Sequence, residues 1–183
     1  MWDVVRRAII FGPKLQRYVR RPPLHLYFDA AATYQMCDVA DAGGVSGYFC
    51  HVMVRNGGRR AARNCRGRLL EISVRNPDGA IASAPGFIAP VFLKWAREPD
   101  FGPRDVERDH PRRLDLCFAL ASAPDQLRFF APPSPSGVLI FPPGVYTVRV
   151  QVTGDNVRAA HGVFRVDFTR GWNQIVVTEA PST

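Results

Sequence analysis

The chain has 183 residues, 46% of them hydrophobic, enough for one substantial core and marginal for two. Its 16 prolines and 15 glycines suit many short strands and exclude a fold built on long helices. The net charge of +8 is local. Residues 1–23 carry six basic side chains against Asp3, and residues 55–68 carry six arginines and no acid, so the remainder is net acidic. The apolar run near the start, Ala8-Ile9-Ile10-Phe11, is too short for a membrane span or a secretory leader, and the expected setting is the cytoplasm, including the inner face of a membrane.

Taken in chain order, residues 1–23 read as a basic amphipathic segment. Trp2, Val5, Ile9 and Ile10 recur at helical spacing until Gly12-Pro13, and a second piece holds Leu15, Tyr18 and Val19 before Pro22-Pro23 stops it. Trp2 and Tyr18 suit a lipid interface, where Arg6, Arg7, Lys14, Arg17, Arg20 and Arg21 would meet anionic headgroups. The alternative is a short helix packed on the domain with its basic face in water. Residues 24–178 read as one β domain and 179–183 as a tail.

Within that domain Leu24–Phe28 alternates as a first strand, and Asp29–Gly47 reads as a loop. Tyr48–Val54 and Ala61–Val74 follow as two strands joined by Asn56-Gly57-Gly58, residues that tolerate positive φ. The apolar phase slips between Leu69 and Leu70, which predicts a bulge there, with Gly67 as the expected site. Val91–Trp95, Leu114–Leu120, Leu127–Phe130, Val138–Phe141, Val145–Val152 and Gly162–Phe168 supply further strands, and Trp172–Thr178 adds a last strand or caps an end. The charged stretch Glu98–Arg113 reads as a loop. Leu114, Leu116, Phe118 and Leu120 are expected to face inward together, as are Tyr146, Val148, Val150 and Val152.

Strands of this length and spacing predict an all-β fold, an immunoglobulin-like antiparallel β-sandwich preceded by a short basic helical segment. Val54-Arg-Asn-Gly-Gly58 with Ala61/Ala62 and Asn64-Cys65 resembles the strand-turn-strand of bacterial immunoglobulin-like and CARDB-type modules. Gly144-Val-Tyr146-Thr-Val148-Arg-Val150 is similar to a late strand of such sandwiches. Together with the Arg-Arg-Pro segment before it, the chain also resembles soluble domains that follow membrane helices in bacterial proteins. The resemblance spans about Leu24–Phe168 and implies a fold rather than a chemistry. It departs from antibody-type domains, because no Cys…Trp…Cys pattern is present: Trp95 follows Cys65 in the wrong strand.

No nucleotide-binding, hydrolase or metalloprotease motif occurs, so the chain is expected not to be an enzyme and to need no cofactor or metal. His51 lies on the outward phase of its strand and reads as a surface or interface residue, while His110 and His161 fall in predicted loops. The Asp105, Glu107, Asp109 alternation has the oxygen ligands of a cation site, but Arg104, Arg108, Arg112 and Arg113 compete for them, so ion pairs are the expected use. Cys37, Cys50, Cys65 and Cys117 have no metal spacing and read as buried free thiols, with one disulfide as the alternative.

The strongest candidate site is Arg59, Arg60, Arg63, Arg66 and Arg68. Guanidinium groups in this density can hold phosphates or lipid headgroups, or simply solvate a sheet edge. Nucleic acid is the less favoured ligand, because no aromatic is interleaved with these arginines in the sequence. The expected function is therefore a non-enzymatic interaction module with a protein partner or an anionic membrane surface. Binding of a phosphate ligand or nucleic acid through the arginine patch is the alternative, and an enzyme with an unrecognised site the least favoured one.

Overall fold

The computed structural model describes residues 21–39, 44–75, 79–88, 90–130 and 137–181, with 32, 33 and 35–39 described by their backbone alone. Trp2, Arg6, Arg7, Lys14, Arg17, Tyr18 and Arg20, and with them the expected N-terminal helix, lie outside the described residues.

Two antiparallel sheets form a sandwich. In the first, β1 (Leu24–Tyr27) and β2 (Tyr34–Val39) lie end to end along one edge of β3 (Val45–Asn56). Beyond β3 the order continues through β8 (Arg112–Leu120), β9 (Ala123–Phe130) and β10 (Val138–Phe141). The second sheet runs β13 (Val176–Glu179), β12 (Ala160–Phe168), β11 (Gly144–Thr153), β4 (Ala62–Arg75). Along the far edge of β4 sit three short strands: β5 (Ile81–Ser83), β6 (Val91–Phe92) and β7 (Arg104–Val106). Among the described residues the one helical piece is a single turn, α1 (Ala30–Thr33), capped by the Asp29 carboxylate accepting from Ala31 N.

The period-two pattern decides which face is buried. Tyr146, Val148, Val150 and Val152 of β11 and Phe164, Val166 and Phe168 of β12 meet Cys50, Val52 and Val54 of β3 and Leu114 and Leu116 of β8 in one core. Each such side chain contributes about 1.5–3 kcal/mol of transfer free energy. Trp95 closes one side of this core. Leu93 N donates to Gly67 O of β4, while Asp115 N donates to Lys94 O, so the chain around Trp95 is hydrogen-bonded to both sheets.

The structure corrects several expectations. The Tyr48–Val54 and Ala61–Val74 strands do not pair with each other: β3 lies in the first sheet and β4 in the second, and Asn56-Gly57-Gly58 carries the chain across. Asp29–Gly47 holds α1, β2 and the start of β3, and Glu98–Arg113 holds β7, whose few residues lie along an edge and leave little periodic signal. The bulge does fall at Leu70, since Arg149 pairs with Glu71 and Val150 with Leu69. Gly67 has another use: a Cβ there would lie 2.7 Å from the Leu114 methyls.

A second bulge explains the largest error of phase. Cys50 pairs with Cys117 but His51 with Asp115, so Leu116 is the extra residue and Leu116 and Cys117 both point inward. Phe118 is thereby turned to the outer face, where it stacks on Phe49 at 5.0 Å and on Phe130 at 4.7 Å. That face is apolar, so the outward phase of His51 does not bring it to solvent. Its ring lies 6.5 Å from Phe49 and is 2% exposed. Its Nδ1 approaches Asp115 Oδ1 at 2.9 Å without the alignment of a hydrogen bond, and Nε2 has no partner among the described residues. His161, expected in a loop, is in β12.

Cys50, Cys65 and Cys117 are buried free thiols. Burial raises Cys50 well above the usual thiol range and pushes Cys65 up to about 11. Neither is a nucleophile at neutral pH. Alkylation without reductant is expected to leave these three unlabelled in the native protein and to label all three after unfolding, read by mass spectrometry. Loss of the labels on Cys50 and Cys117 together would place a disulfide across that pair; the Cys37 side chain lies outside the described residues.

Candidate functional site

The outer face of the second sheet is polar, and its residues are set by the same alternation that builds the core. Thr147, Arg149, Gln151 and Thr153 of β11 point outward, beside Arg66, Arg68, Glu71 and Ser73 of β4 and His161, Val163 and Arg165 of β12. One register row crosses four strands. Phe92 of β6 pairs with Arg68, Arg68 with Gln151, and Gln151 with His161. The row is closed at one end by Gln151 Nε2 and His161 Nε2, 3.4 Å apart.

At the other end two guanidinium groups share one ring. Arg66 Cζ lies 5.5 Å and Arg68 Cζ 5.3 Å from the Phe92 centroid. Such contacts contribute about 0.5–1 kcal/mol each at exposed sites and hold the cations in place without neutralising them. Neither arginine has a carboxylate partner among the described residues. Their neighbours differ: Arg149 pairs with Glu71 and Arg165 with Asp167.

Beside Arg66 a cleft of about 480 Å³ is lined by Asn64, Pro103, Thr153, Gly154 and Asp155. A bulge in β4 shapes it, because Ala62 pairs with Val106 and Cys65 with Arg104, leaving one residue extra. Asn64 takes the left-handed backbone this needs, at φ 52°, a conformation asparagine tolerates. The Asp105 carboxylate fixes the bulge, accepting from Asn64 N at 2.9 Å and from the Arg63 guanidinium. Asn64 Nδ2 in turn donates to Asp155, and Asn156 both accepts from Arg63 N and donates to Ala61 O, which ties the β11–β12 turn to β4.

The five arginines singled out in the sequence therefore separate. Arg66 and Arg68 share the sheet face, as the strand spacing predicts. Arg63 is spent on Asp105. Arg59 and Arg60 are exposed on the turn after β3, at the pole where Gly57 N donates to Pro23 O at 2.9 Å. Phe92 was not legible as a site residue, since β6 reaches β4 from 24 positions after Arg68. It also supplies the interleaved aromatic that the linear sequence lacks. Asn56 reads in the sequence only as a turn former, and its side chain does more. Its Nδ2 donates to Arg60 O and Val106 O, and its Oδ1 accepts from Gly58 N, so a side chain 1% exposed holds the turn that carries Arg59 and Arg60.

Glu98, Asp100, Asp105 and Asp109 are paired with arginines. Glu98 bonds Arg104 at 3.0 Å and Arg112 at 2.9 Å, which holds its carboxyl below the ordinary range. Asp100 is lowered mainly by Gly102 N–H, and Asp105 mainly by Asn64 N–H and then by Arg63. A carboxylate whose pKa is depressed on folding adds stability that is complete above its unfolded value and is lost as pH falls through the folded one. The urea midpoint is accordingly expected to be flat from neutral pH to about 5 and to fall below about pH 4, where these acids begin to protonate. A midpoint unchanged down to about pH 2 would contradict the role given to these contacts.

Comparison with protein-family models, with curated proteins and with solved structures finds no match, so the chemistry of this face is argued from its own residues.

Proposed function

We propose that the chain is a non-enzymatic, immunoglobulin-like binding module whose ligand is anionic and docks on the outer face of the second sheet. One observation carries this reading: Arg66 and Arg68 are held over Phe92 with no carboxylate between them, beside an open cleft. Two fixed, unneutralised guanidinium groups favour a group that can accept from both. A binding role is also supported by the His51–Asp115 pair, which resembles a general base but is closed to solvent. The CARDB-type resemblance, carried by Val54–Gly58 and Gly144–Val150, agrees with a module of this kind.

The test uses two variants of equal net charge, Arg66→Gln with Arg68→Gln and Arg59→Gln with Arg60→Gln. The salt needed to release the protein from phosphocellulose is expected to drop clearly more for the Arg66/Arg68 variant. Equal drops would mean that only overall charge binds, and the reading would fail.

A second reading rests on the pole. Gly57 and Gly58, just before Arg59 and Arg60, pack against Pro23 and Pro22, the residues that follow Arg21. This end is proposed to meet an anionic membrane from the cytoplasmic side. Sedimentation of the full chain with phosphatidylserine vesicles should weaken in the Arg59/Arg60 variant and with salt. Unchanged sedimentation of that variant would remove this reading.

A further inference from the structure

The cleft beside Arg66 is not isolated. A second one, of about 290 Å³, lies on the same sheet face and is lined by Glu71, Ser73, Thr147, Arg149 and Val163. Ile81 rims it on the β5 side, and Ala180 and Pro181 on the other, where Ala180 N donates to Val163 O at 2.8 Å. Thr153 borders the first cleft and Thr147 the second, with Arg149 and Gln151 between them on the same outward phase of β11. Six residue steps of strand separate the two threonines, roughly 20 Å at about 3.4 Å per step. The Phe92–Arg68–Gln151–His161 row bridges the interval. The two clefts therefore lie on one sheet face roughly 20 Å apart, too far for a single phosphate or sulfate to reach both.

Cations and carboxylates both line this path. Arg66 and Arg68 are followed by Gln151 and by Arg149 with Glu71, and Asp155 stands at the Arg66 end. A nucleic acid brings a phosphate at each step, which Glu71 and Asp155 repel, and it finds one aromatic on this path, Phe92. A sugar chain has the complementary chemistry. Its hydroxyls donate to Glu71, Asp155 and Gln151 and accept from Thr147 and Thr153, while spaced acidic groups reach the arginines. An apolar sugar face packs on Phe92.

We propose that this face binds a linear acidic polysaccharide, a uronate-type chain, along β11 from one cleft to the other, with its carboxylate at Arg66 and Arg68. The proposal rests on the anion-binding reading of that face. The test is calorimetric titration of the full chain with di-, tetra- and hexagalacturonate, with inorganic phosphate and with oligothymidylate. Affinity should rise with galacturonate length until both clefts are spanned, and Arg66→Gln with Arg68→Gln should weaken the hexamer about tenfold or more, as loss of charge-assisted bonds does. Thr147→Ala, at an exposed strand position in the second cleft and outside the Phe92–Arg68–Gln151–His161 row, should weaken the hexamer while leaving phosphate binding at Arg66 and Arg68 unchanged. Binding of phosphate or oligothymidylate through Arg66 and Arg68 without binding of galacturonate would overturn the polysaccharide and keep the anion site. Binding of none of the three would overturn both.

Discussion

Trp95→Ala is expected to lower the free energy of unfolding by about 3–5 kcal/mol. Trp95 is 1% exposed and lies on the segment hydrogen-bonded to β4 through Leu93 and to β8 through Lys94 and Ala96, so the cavity would open between the sheets. Trp95→Phe is expected to cost much less, below about 2 kcal/mol, because most of the packing survives and the lost group contributes no bond. The indole Nε1 has no hydrogen-bond partner among the described residues. Urea unfolding followed by circular dichroism reads both. A phenylalanine variant as unstable as the alanine one would show that the indole nitrogen is bonded in solution.

Asn56→Ala is expected to cost about 2–4 kcal/mol, because it removes three hydrogen bonds and strands their partners in a buried place. The partners are Gly58 N–H and the carbonyls of Arg60 and Val106. Asn56→Asp keeps the volume but turns an acceptor toward both carbonyls, and it should be at least as destabilising at neutral pH. Its deficit should shrink in acid, where the protonated group donates again. An aspartate variant as stable as the native protein would mean that the turn is not held from Asn56. Either variant leaves Arg66 and Arg68 on their strand, so phosphocellulose retention should change less than with the Arg66/Arg68 variant.

The fold class and most of the core were legible because alternation is a local signal. Val148 and Val150 on β11 and Phe164 and Val166 on β12 are inward as their period requires. Bulges break that inference. One extra residue at Leu116 reverses Phe118 and cannot be seen in LDLCFAL, where the alternation is unbroken. At Leu69–Leu70 two adjacent apolar residues betray the slip, and there the bulge was found. Pairing is less legible than phase: Asn56-Gly57-Gly58 has the chemistry of a hairpin yet connects two sheets, because Gly57 is bonded to Pro23 and Asn56 to Val106. The candidate site was half legible. Arg66 and Arg68 follow from spacing on one strand, whereas Phe92, Gln151 and His161 join them through three other strands.

The anion site itself is most directly tested by the arginine Nε–Hε resonances of the labelled full chain during titration with sodium phosphate at constant ionic strength. Arg66 and Arg68 should shift together along one saturating curve, while Arg149 and Arg165, paired with Glu71 and Asp167, stay close to their starting positions. Shifts spread evenly over all exposed arginines, or confined to Arg59 and Arg60, would contradict a ligand site built on Phe92.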